Sequence, residues 1–259
     1  VVGLGNIGIY LLNEINSKKK NIELLTGKKI NISAVSAKNI KKKRKFKFNK
    51  SIFYKNPLNI FKEKKIHILF ECIGSSDGMS KKIVEKAIKS KCHVVTPNKS
   101  LIAKHGNNLS KLAEKYKVNL EFEASVCGGI PILRTIKEGL STNKLNKVYG
   151  ILNGTSNYIL SEMESTKDTF DNVLKKAQIL GYAEPGNATP DLNGSDAMSK
   201  VKILSSLAFN NQISSHKCLM QGIENIETKD FEIADQLNLK IKLLGITEII
   251  DNKLFERVH

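Results

Sequence analysis

The spacing of apolar residues predicts alternating strands and helices over the first half of the chain. Short continuous apolar runs are typical of strands buried on both faces, and between them apolar residues recur every three or four positions, as on amphipathic helices. The predicted strands are 31–36, 66–74, 92–96 and 118–122, and the predicted helices are 81–90 and 107–116. Such alternation favours an α/β fold with a doubly wound parallel sheet.

The second half begins after a glycine-rich joint. The elements predicted around it are the joint itself at 123–131, a helix near 132–139, a strand at 147–152 and a turn at 153–157 that opens another helix. With 259 residues the chain is long enough for two domains. We interpret the joint as an interdomain hinge and expect domains at 1–123 and 124–259.

The chain is strongly basic, with a formal net charge of +17. Its lysines are spread over the whole length, although the run at 38–50 holds eight Lys or Arg. A nucleic-acid or anion-binding protein is therefore an alternative, which the scarcity of aromatic residues in the run beyond Phe46 and Phe48 argues against.

Other function classes receive little support from the sequence. No apolar run reaches the roughly 20 residues of a membrane span, and nothing resembles a secretory signal, so we expect a cytoplasmic protein. The four cysteines form no C-x-x-C pair, and the five histidines lack H-E-x-x-H spacing. Neither a disulfide framework nor a zinc site is indicated.

Gly3, Gly5 and Gly8 form a G-x-G-x-x-G motif between a strand end and a helix. The first glycine permits a tight turn, the second lets the backbone approach a pyrophosphate, and the third allows close helix packing. The helix opens at Asn6 and Ile7, whose N–H groups can bind phosphate. The motif therefore predicts a dinucleotide site.

Two other segments bear on the cofactor. No acid follows the second predicted strand, where an NAD enzyme usually carries one, and the cationic Lys38 there favours the 2′-phosphate of NADP. A solvated basic loop is the alternative. Two predicted strands end at Gly74 and Thr96, and Lys99 follows the second of them. Gly74, Thr96 and Lys99 are therefore expected at the carboxyl edge of the predicted sheet, where open α/β sheets bind ligands. An ordinary surface lysine remains the alternative for Lys99.

A loop rich in turn-forming residues precedes a helix that carries an acid and a lysine. Glu184 and Asp191 fall on this loop, and the helix opens with Asp196 and Lys200. Residues four apart lie on one helix face, so the last two can touch. Lys200 also lies on the apolar stripe of its helix. A buried structural ion pair and a catalytic pair both fit this pattern.

The turn at 153–157 is a second candidate site. It contains Gly154 and Thr155, whose backbone N–H and hydroxyl groups could hold a carboxylate. A capped structural turn explains the same residues equally well.

Taken in order, these blocks resemble homoserine dehydrogenases. The resemblance rests on the G-x-G-x-x-G opening, Val-Thr-Pro-Asn-Lys ending at Lys99, Glu-Ala-Ser-Val-Cys-Gly-Gly-Ile-Pro from Glu123, Gly-Ile-Leu-Asn-Gly-Thr-Ser-Asn-Tyr-Ile from Gly150, and the segments 181–200, 241–245 and 257–259. It implies NAD(P)-dependent interconversion of L-homoserine and L-aspartate 4-semialdehyde, in threonine, methionine and isoleucine biosynthesis. Against this family the chain reads as a fragment that lacks the extreme N-terminus and the C-terminal part.

The resemblance also implies roles for individual residues. Lys200 matches the acid/base lysine, with Asp196 beside it, and Lys99 matches a lysine that contacts cofactor and substrate. Glu184 matches the carboxylate that binds the substrate ammonium. The other substrate-pocket positions are Asp191, Gly154 and Thr155. The expected cofactor-binding residues are Gly3, Gly5, Asn6, Ile7, Gly8, Lys38, Gly74, Thr96 and Lys99.

Further expectations concern the assembly and a cation. The resemblance implies a Rossmann-type first domain, an α+β substrate and dimerisation domain with a mixed sheet, and a homodimer. It also implies a monovalent cation, usually Na⁺, on the backbone carbonyls of Glu123, Val126, Gly128 and Ile130. The chain departs from the family pattern at Ala188, where proline is expected, and in a loop one residue longer after Glu184.

Two further alternatives are another enzyme and a protein without activity. Another amino-acid or semialdehyde oxidoreductase could share the cofactor domain, and a catalytically dead fragment could bind nucleotide without turnover. Substrate profiling with NADP and NAD separates these alternatives from homoserine dehydrogenase.

Overall fold

The computed structural model describes residues 1–42, 44, 46 and 48–259. The chain divides into two compact units, Val1–Gly129 and Ile130–His259, so the division falls inside the glycine-rich joint, later than the predicted position after residue 123. Part of the basic run, at Lys43, Lys45 and Lys47, lies outside the described residues.

The first unit contains a parallel sheet flanked by helices. Its elements are α1 (Asn6–Ser17), α2 (Lys19–Thr26), β1 (Val35–Ser36), β2 (Phe53–Tyr54), α3 (Ile60–Glu63), β3 (Ile68–Phe70), α4 (Met79–Lys89), β4 (His93–Val95), α5 (Lys99–Tyr116) and β5 (Leu120–Glu121). Short 3₁₀ turns lie at Lys50–Ile52, Pro57–Asn59 and Glu123–Ser125.

Val2 joins two ladders of this sheet, because it bridges in parallel to both Ser36 and Glu71. The spatial order is therefore β2, β1, Val2, β3, β4, β5, with every pairing parallel. Counted along the chain from Val2, this is the 3-2-1-4-5-6 order of doubly wound dinucleotide-binding sheets. The predicted fold class is confirmed for this unit.

The predicted helices of this unit form because each has an apolar face that the core buries. In α4 the fully buried residues are Ile83, Val84, Ala87 and Ile88. The prediction was wrong about α5, which begins at Lys99 and not near residue 107. Gly106 lies buried inside this helix, and Asn98 caps it by accepting a hydrogen bond from the Leu101 N–H. Lys99 is therefore the first residue of a helix, not part of a loop.

The second unit packs helices on a four-stranded mixed sheet. Its elements are α6 (Ile132–Arg134), a π-helical turn (Thr135–Gly139), β6 (Lys147–Gly150), α7 (Gly154–Thr166), α8 (Phe170–Leu180), α9 (Thr189–Leu192), α10 (Ser195–Ala208), β7 (Leu219–Met220), α11 (Thr228–Gln236), β8 (Gly245–Ile250) and β9 (Lys253–Val258). The strand order is β6, β8, β9, β7, antiparallel except for the parallel β9–β7 pair. This confirms the α+β prediction.

The helix α10 lies against β8 and β9. Gly245 allows this close approach, since a Cβ there would lie 2.6 Å from Leu152 Cδ1 and 2.7 Å from Val201 Cγ2. The same core buries residues of α7, including Ile159 and Met163. The start of α7 and the first turns of α10 are thereby held in fixed positions. No helix among the described residues is long and apolar enough to cross a membrane.

Candidate functional site

The glycine motif forms a tight loop between Val2 and α1. Gly3 has a φ of +94°, and a Cβ there would lie 2.3 Å from the Cys72 carbonyl oxygen. A Cβ on Gly8 would lie 2.0 Å from the Gly3 carbonyl oxygen. Gly5 differs, because a Cβ there would meet no described atom within 4 Å. Two glycines are therefore needed for packing, and the third faces open space that a phosphate group can fill.

The N-terminus of α1 has the polarity that an anion requires. The helical hydrogen bonds begin with the Ile9 N–H, which donates to the Gly5 carbonyl at 3.0 Å, so the N–H groups of Asn6, Ile7 and Gly8 precede the ladder. No acidic residue lies in the first turn of this fully described helix. Glycine loop and helix end together fit a pyrophosphate.

Basic side chains flank this loop. Lys38 is exposed just beyond β1. Arg44 reaches back to the glycine motif, where its Nε donates to the Leu4 carbonyl at 3.3 Å, while Nη2 donates to the Asn39 carbonyl at 2.6 Å. The sequence did not single out Arg44, because seven lysines share this run with it and their spacing does not distinguish it from them.

The carboxyl ends of β3 and β4 share a buried polar network. Thr96, an expected cofactor-binding residue, is buried; its hydroxyl donates to Glu71 Oε2 at 2.6 Å and accepts the Asn98 N–H at 3.0 Å. This hydroxyl therefore belongs to the protein's own network. Gly74 adopts a φ of +94° in the loop after β3, and Lys99 opens α5 beside the network.

The acid and the lysine of α10 are in contact, as their spacing predicts. Lys200 Nζ lies 2.9 Å from Asp196 Oδ2, and the two side chains are 15% and 3% exposed, respectively. Lys200 Nζ also donates to the Leu152 carbonyl at 2.6 Å. The ammonium is thus fixed by two oxygen atoms at the edge of the core.

Asn153, which the sequence analysis did not assign to the site, links both predicted acids. Its Nδ2 donates to Asp191 Oδ1 at 2.7 Å and to Asp196 Oδ2 at 2.9 Å. Its Oδ1 accepts the Ser156 N–H at 2.8 Å, which caps α7. The side chain is only 6% exposed. The only signal in the sequence was an asparagine at the predicted start of a helix. Such a position predicts a helix cap, but not a contact with two distant carboxylates.

The Glu184 loop is tied to α7 at its beginning. The Thr155 hydroxyl donates to the Tyr182 carbonyl at 2.6 Å, and the Tyr182 ring stacks on Tyr158 with centroids 4.3 Å apart. Glu184 itself is exposed and accepts a hydrogen bond from Asn187 Nδ2 at 3.1 Å. Among the described hydrogen bonds and ion pairs, none joins Glu184 to the acids of α9 and α10.

The segment between Gly181 and Gly194 was predicted to be a loop, but part of it is helical. Asp191 lies on the short helix α9, which Ala188 precedes. Ala188 is buried in the core of the second unit. The helix α10 has Gly194 as its N-cap residue, without a side-chain cap; Asn193 Oδ1 instead accepts the Ser195 N–H at 2.9 Å.

The expected cation ligands are backbone oxygens near the division between the units. The Glu123 carbonyl accepts the Val126 N–H at 3.2 Å and the Cys127 N–H at 3.4 Å, and the Ile130 carbonyl accepts the Ile132 N–H at 2.9 Å. The Ile130 carbonyl oxygen keeps a second lone pair that a hard cation could use, whereas the Glu123 oxygen already accepts two hydrogen bonds. No cluster of His, Cys, Asp and Glu side chains in the described part of the chain could hold a metal.

Comparisons with known proteins agree on one family. Residues 3–123 match the family model described as homoserine dehydrogenase, NAD binding domain, and residues 131–259 match the model described as homoserine dehydrogenase. A homoserine dehydrogenase of Neisseria gonorrhoeae is 39% identical over 259 residues, which cover 100% of this chain and 59% of the relative. The chain thus spans well under two thirds of that relative's length.

Solved structures extend the comparison to the fold. A homoserine dehydrogenase from Thiobacillus denitrificans superposes with a TM-score of 0.91 at 36% identity, covering 100% of this chain and 59% of that one. A hyperthermophilic archaeal homoserine dehydrogenase in complex with NADPH has a TM-score of 0.77 at 20% identity, covering 100% and 80%. This last likeness supports the fold alone.

Proposed function

The chain belongs to the homoserine dehydrogenase family, and from this premise we propose that the protein of which it is part interconverts L-homoserine and L-aspartate 4-semialdehyde with a nicotinamide cofactor. The observation that carries the proposal is the cluster of Asn153, Asp191, Asp196 and Lys200, which joins two carboxylates and an ammonium at the start of two helices. We place the reaction in the cytoplasm, within threonine, methionine and isoleucine biosynthesis.

A bound nicotinamide cofactor would supply the hydride to the substrate carbon in the reduction and accept it in the oxidation. Lys200 donates a proton to the aldehyde oxygen during reduction and takes it back from the alcohol during oxidation. Asp196 and the Leu152 carbonyl hold the ammonium in one orientation, which limits the reorganisation needed at proton transfer. Lys99, at the start of α5, is proposed to contact the cofactor and the substrate.

The substrate is a small amino acid, and its ammonium group needs negative partners. Asp191 has one oxygen bonded to Asn153, which leaves acceptor capacity on the carboxylate. Glu184 is exposed on a loop anchored through Thr155, so it can meet an entering ligand. We propose that both carboxylates bind the ammonium and that Gly154 and Thr155 border the same pocket.

The test is oxidation of L-homoserine by the full-length protein, followed at the absorbance of reduced nicotinamide with NADP and with NAD. Substrate-dependent turnover of L-homoserine, but not of L-serine or L-threonine, is expected. Cofactor binding without turnover of L-homoserine would contradict the proposal.

NADP is the proposed preferred cofactor. Lys38 and Arg44 place two cations near the end of β1 and the glycine motif, and cations at this position suit a 2′-phosphate.

Na⁺ is proposed as a bound cation on the carbonyls of Glu123, Val126, Gly128 and Ile130. The proposal is supported by the backbone oxygens of this glycine-rich segment, since carbonyl oxygens are ligands that a hard cation prefers. Replacing Na⁺ by a bulky organic cation at constant ionic strength should lower turnover, and unchanged turnover would exclude the site.

A homodimer is proposed through the sheet of the second unit. The helix α10 covers one face of this sheet, and on the other face the strand register aligns Tyr149, Ile246, Arg257 and Leu219 in one row. Tyr149 and Leu219 are 67% and 62% exposed. Ile246 is already buried, so a second copy would cover the exposed members of the row, Tyr149 and Leu219. Light scattering should give twice the chain mass for the full-length protein and a monomer for Tyr149→Asp; a monomeric wild type would contradict the proposal.

A further inference from the structure

A buried carboxylate lies at the carboxyl edge of the sheet in the first unit. Glu71 directly follows β3 and is 0% exposed. Its Oε1 accepts the Ile73 N–H at 2.8 Å and the Ser80 hydroxyl at 3.1 Å. Its Oε2 accepts the Thr96 hydroxyl at 2.6 Å and the Asn98 amide at 3.3 Å. Both oxygens are thus fully engaged.

The four donors come from four different elements. Ile73 lies in the loop after β3, Ser80 in the first turn of α4, Thr96 at the end of β4, and Asn98 at the cap of α5. One side chain therefore ties together two neighbouring strand ends and the helices that follow them.

Asn98 extends this network to the loop and the next helix. Its Nδ2 also donates to the Ser75 carbonyl at 2.8 Å, and its Oδ1 accepts the Leu101 N–H at 3.1 Å. Lys99 directly follows Asn98 and is the first residue of this helix. Glu71 is therefore connected, through Asn98, both to the loop after β3 and to the backbone that carries Lys99.

The order of the strands assigns this network to one half of the dinucleotide site. In a doubly wound sheet the dinucleotide crosses the carboxyl edge at the switch point, with the adenosine ribose near the strand that follows the glycine-motif helix. Here that strand is β1, on one side of Val2, whereas β3 and β4 lie on the other side. The Glu71 network therefore lies on the side of the switch point where the nicotinamide half would bind.

The cost of burying a carboxylate argues that Glu71 does more than occupy space in the core. A buried carboxylate is costly, and here all four hydrogen-bond partners are neutral groups, so no ion pair offsets the cost. An apolar side chain would pack at lower cost. What the carboxylate provides is four hydrogen bonds of fixed direction, which hold irregular backbone in one conformation.

We propose that Glu71 is the positioning residue of the nicotinamide half of the cofactor site. It contacts no ligand itself; it sets the loop from Ile73 to Gly78 and, through Asn98, the start of α5 with Lys99. This inference rests on dinucleotide binding by the first unit, and not on the identity of the substrate.

Glu71→Gln is the informative substitution, because it keeps the shape and replaces one oxygen by an NH₂ group. The Ile73 N–H can only donate, so the remaining oxygen must face it. The new NH₂ group then faces Thr96 and Asn98. The Thr96 hydroxyl can rotate and accept a hydrogen bond from the new NH₂ group. The Asn98 NH₂ group can only donate, and its bond to the Ser75 carbonyl keeps the amide from turning its oxygen towards residue 71. The link to α5 is lost while the link to β3 remains.

The readout is binding of two ligands to the full-length protein, measured by fluorescence or calorimetry without substrate. NADPH contains both halves of the cofactor, and adenosine 2′,5′-bisphosphate contains only the adenosine half. Glu71→Gln should raise the Kd of NADPH by roughly tenfold, the effect of one buried donor left unpaired. The Kd of the bisphosphate should stay within about twofold of wild type, since its site lies across Val2.

Two further variants complete the experiment. Thr96→Val removes one donor and leaves Glu71 in place, so it should weaken NADPH binding selectively and by less; it also serves as the test if Glu71→Gln does not fold. Glu85→Gln, which changes a partly exposed glutamate of α4 paired with Lys81, should change neither Kd.

Equal weakening of both ligands, or unchanged NADPH binding in folded Glu71→Gln and Thr96→Val, would overturn the inference, because either result leaves only a role in overall stability. A wild-type protein that binds NADPH but does not oxidise L-homoserine would instead refute the proposed substrate and leave the role of Glu71 standing.

Discussion

Asn153 offers a test of whether the two carboxylates of the second unit act as one cluster. Its side chain has two separable tasks: Oδ1 caps α7, and Nδ2 bridges Asp191 and Asp196. Serine caps helices about as well as asparagine but cannot reach two carboxylates. Asn153→Ser therefore removes the bridge while keeping the cap.

The size of the effect follows from the bonds that are lost. A hydrogen bond to a charged group is worth about 1.5–3 kcal/mol, and Asn153 makes two of them. If about half of this total bears on substrate and transition-state binding, kcat/KM for L-homoserine should fall roughly tenfold to a hundredfold. Lys200 still pairs with Asp196, so part of kcat should survive. The melting temperature should fall by only a few degrees.

Asn153→Asp gives a pH-dependent counterpart. The introduced carboxyl group would lie about 3 Å from two others, so it must hold a proton to avoid repulsion. The proton lets it donate one of the lost bonds, and it is released as the pH rises. Steady-state kinetics between about pH 6 and pH 9 should show that kcat/KM relative to wild type falls with pH. A normal kcat/KM in Asn153→Ser, or a pH-independent ratio in Asn153→Asp, would refute the bridging role.

Three other predictions concern the first unit. Arg44→Ala should raise KM for NADPH roughly tenfold or more and leave KM for NADH nearly unchanged in steady-state kinetics; equal effects on both would remove Arg44 from 2′-phosphate binding. The pKa of Asp77 is held well below its usual range by hydrogen bonds, first from Lys104 and then from Ser76 and His105. These bonds to the ionised carboxylate stabilise the folded state fully above about pH 5, and the stabilisation is lost as the pH falls further. In urea unfolding, Asp77→Asn should be less stable than wild type near pH 7, and this difference should shrink towards pH 2; a constant difference would contradict it. Burial raises the pKa of Cys72 to about 11 and that of Cys92 to about 12, so iodoacetamide should label both slowly near pH 8 by peptide mass spectrometry; labelling as fast as in urea would contradict this.

The sequence predicted the features that depend on local spacing. Apolar runs and helical periodicity identified the α/β class, and the four-residue spacing of Asp196 and Lys200 predicted a contact that is present. The beginning of α5 was placed too late: the helix was predicted to begin near residue 107, whereas it begins at Lys99 and holds Gly106 buried within it.

The residues that organise the two sites could not be predicted in this way. Asn153 lies 38 and 43 positions from the two aspartates that it bridges, and Glu71 lies 25 and 27 positions from Thr96 and Asn98. No periodicity relates residues this far apart. Their partners are set by strand order and by the packing of α9 against α7 and α10, which only the folded chain contains.

The central claim is that Lys200 exchanges the substrate proton, and the most direct measurement is kcat of Lys200→Ala in the full-length protein with L-homoserine and NADP. General acid–base catalysis typically contributes about 10²–10⁴ in rate, so kcat should fall by this factor while the Kd of NADPH stays within about twofold. Lys202→Ala is the matched control on the same helix, since its ammonium bonds the His216 carbonyl outside the cluster, and it should retain near-normal kcat. A Lys200→Ala protein that turns over at the wild-type rate would contradict the claim.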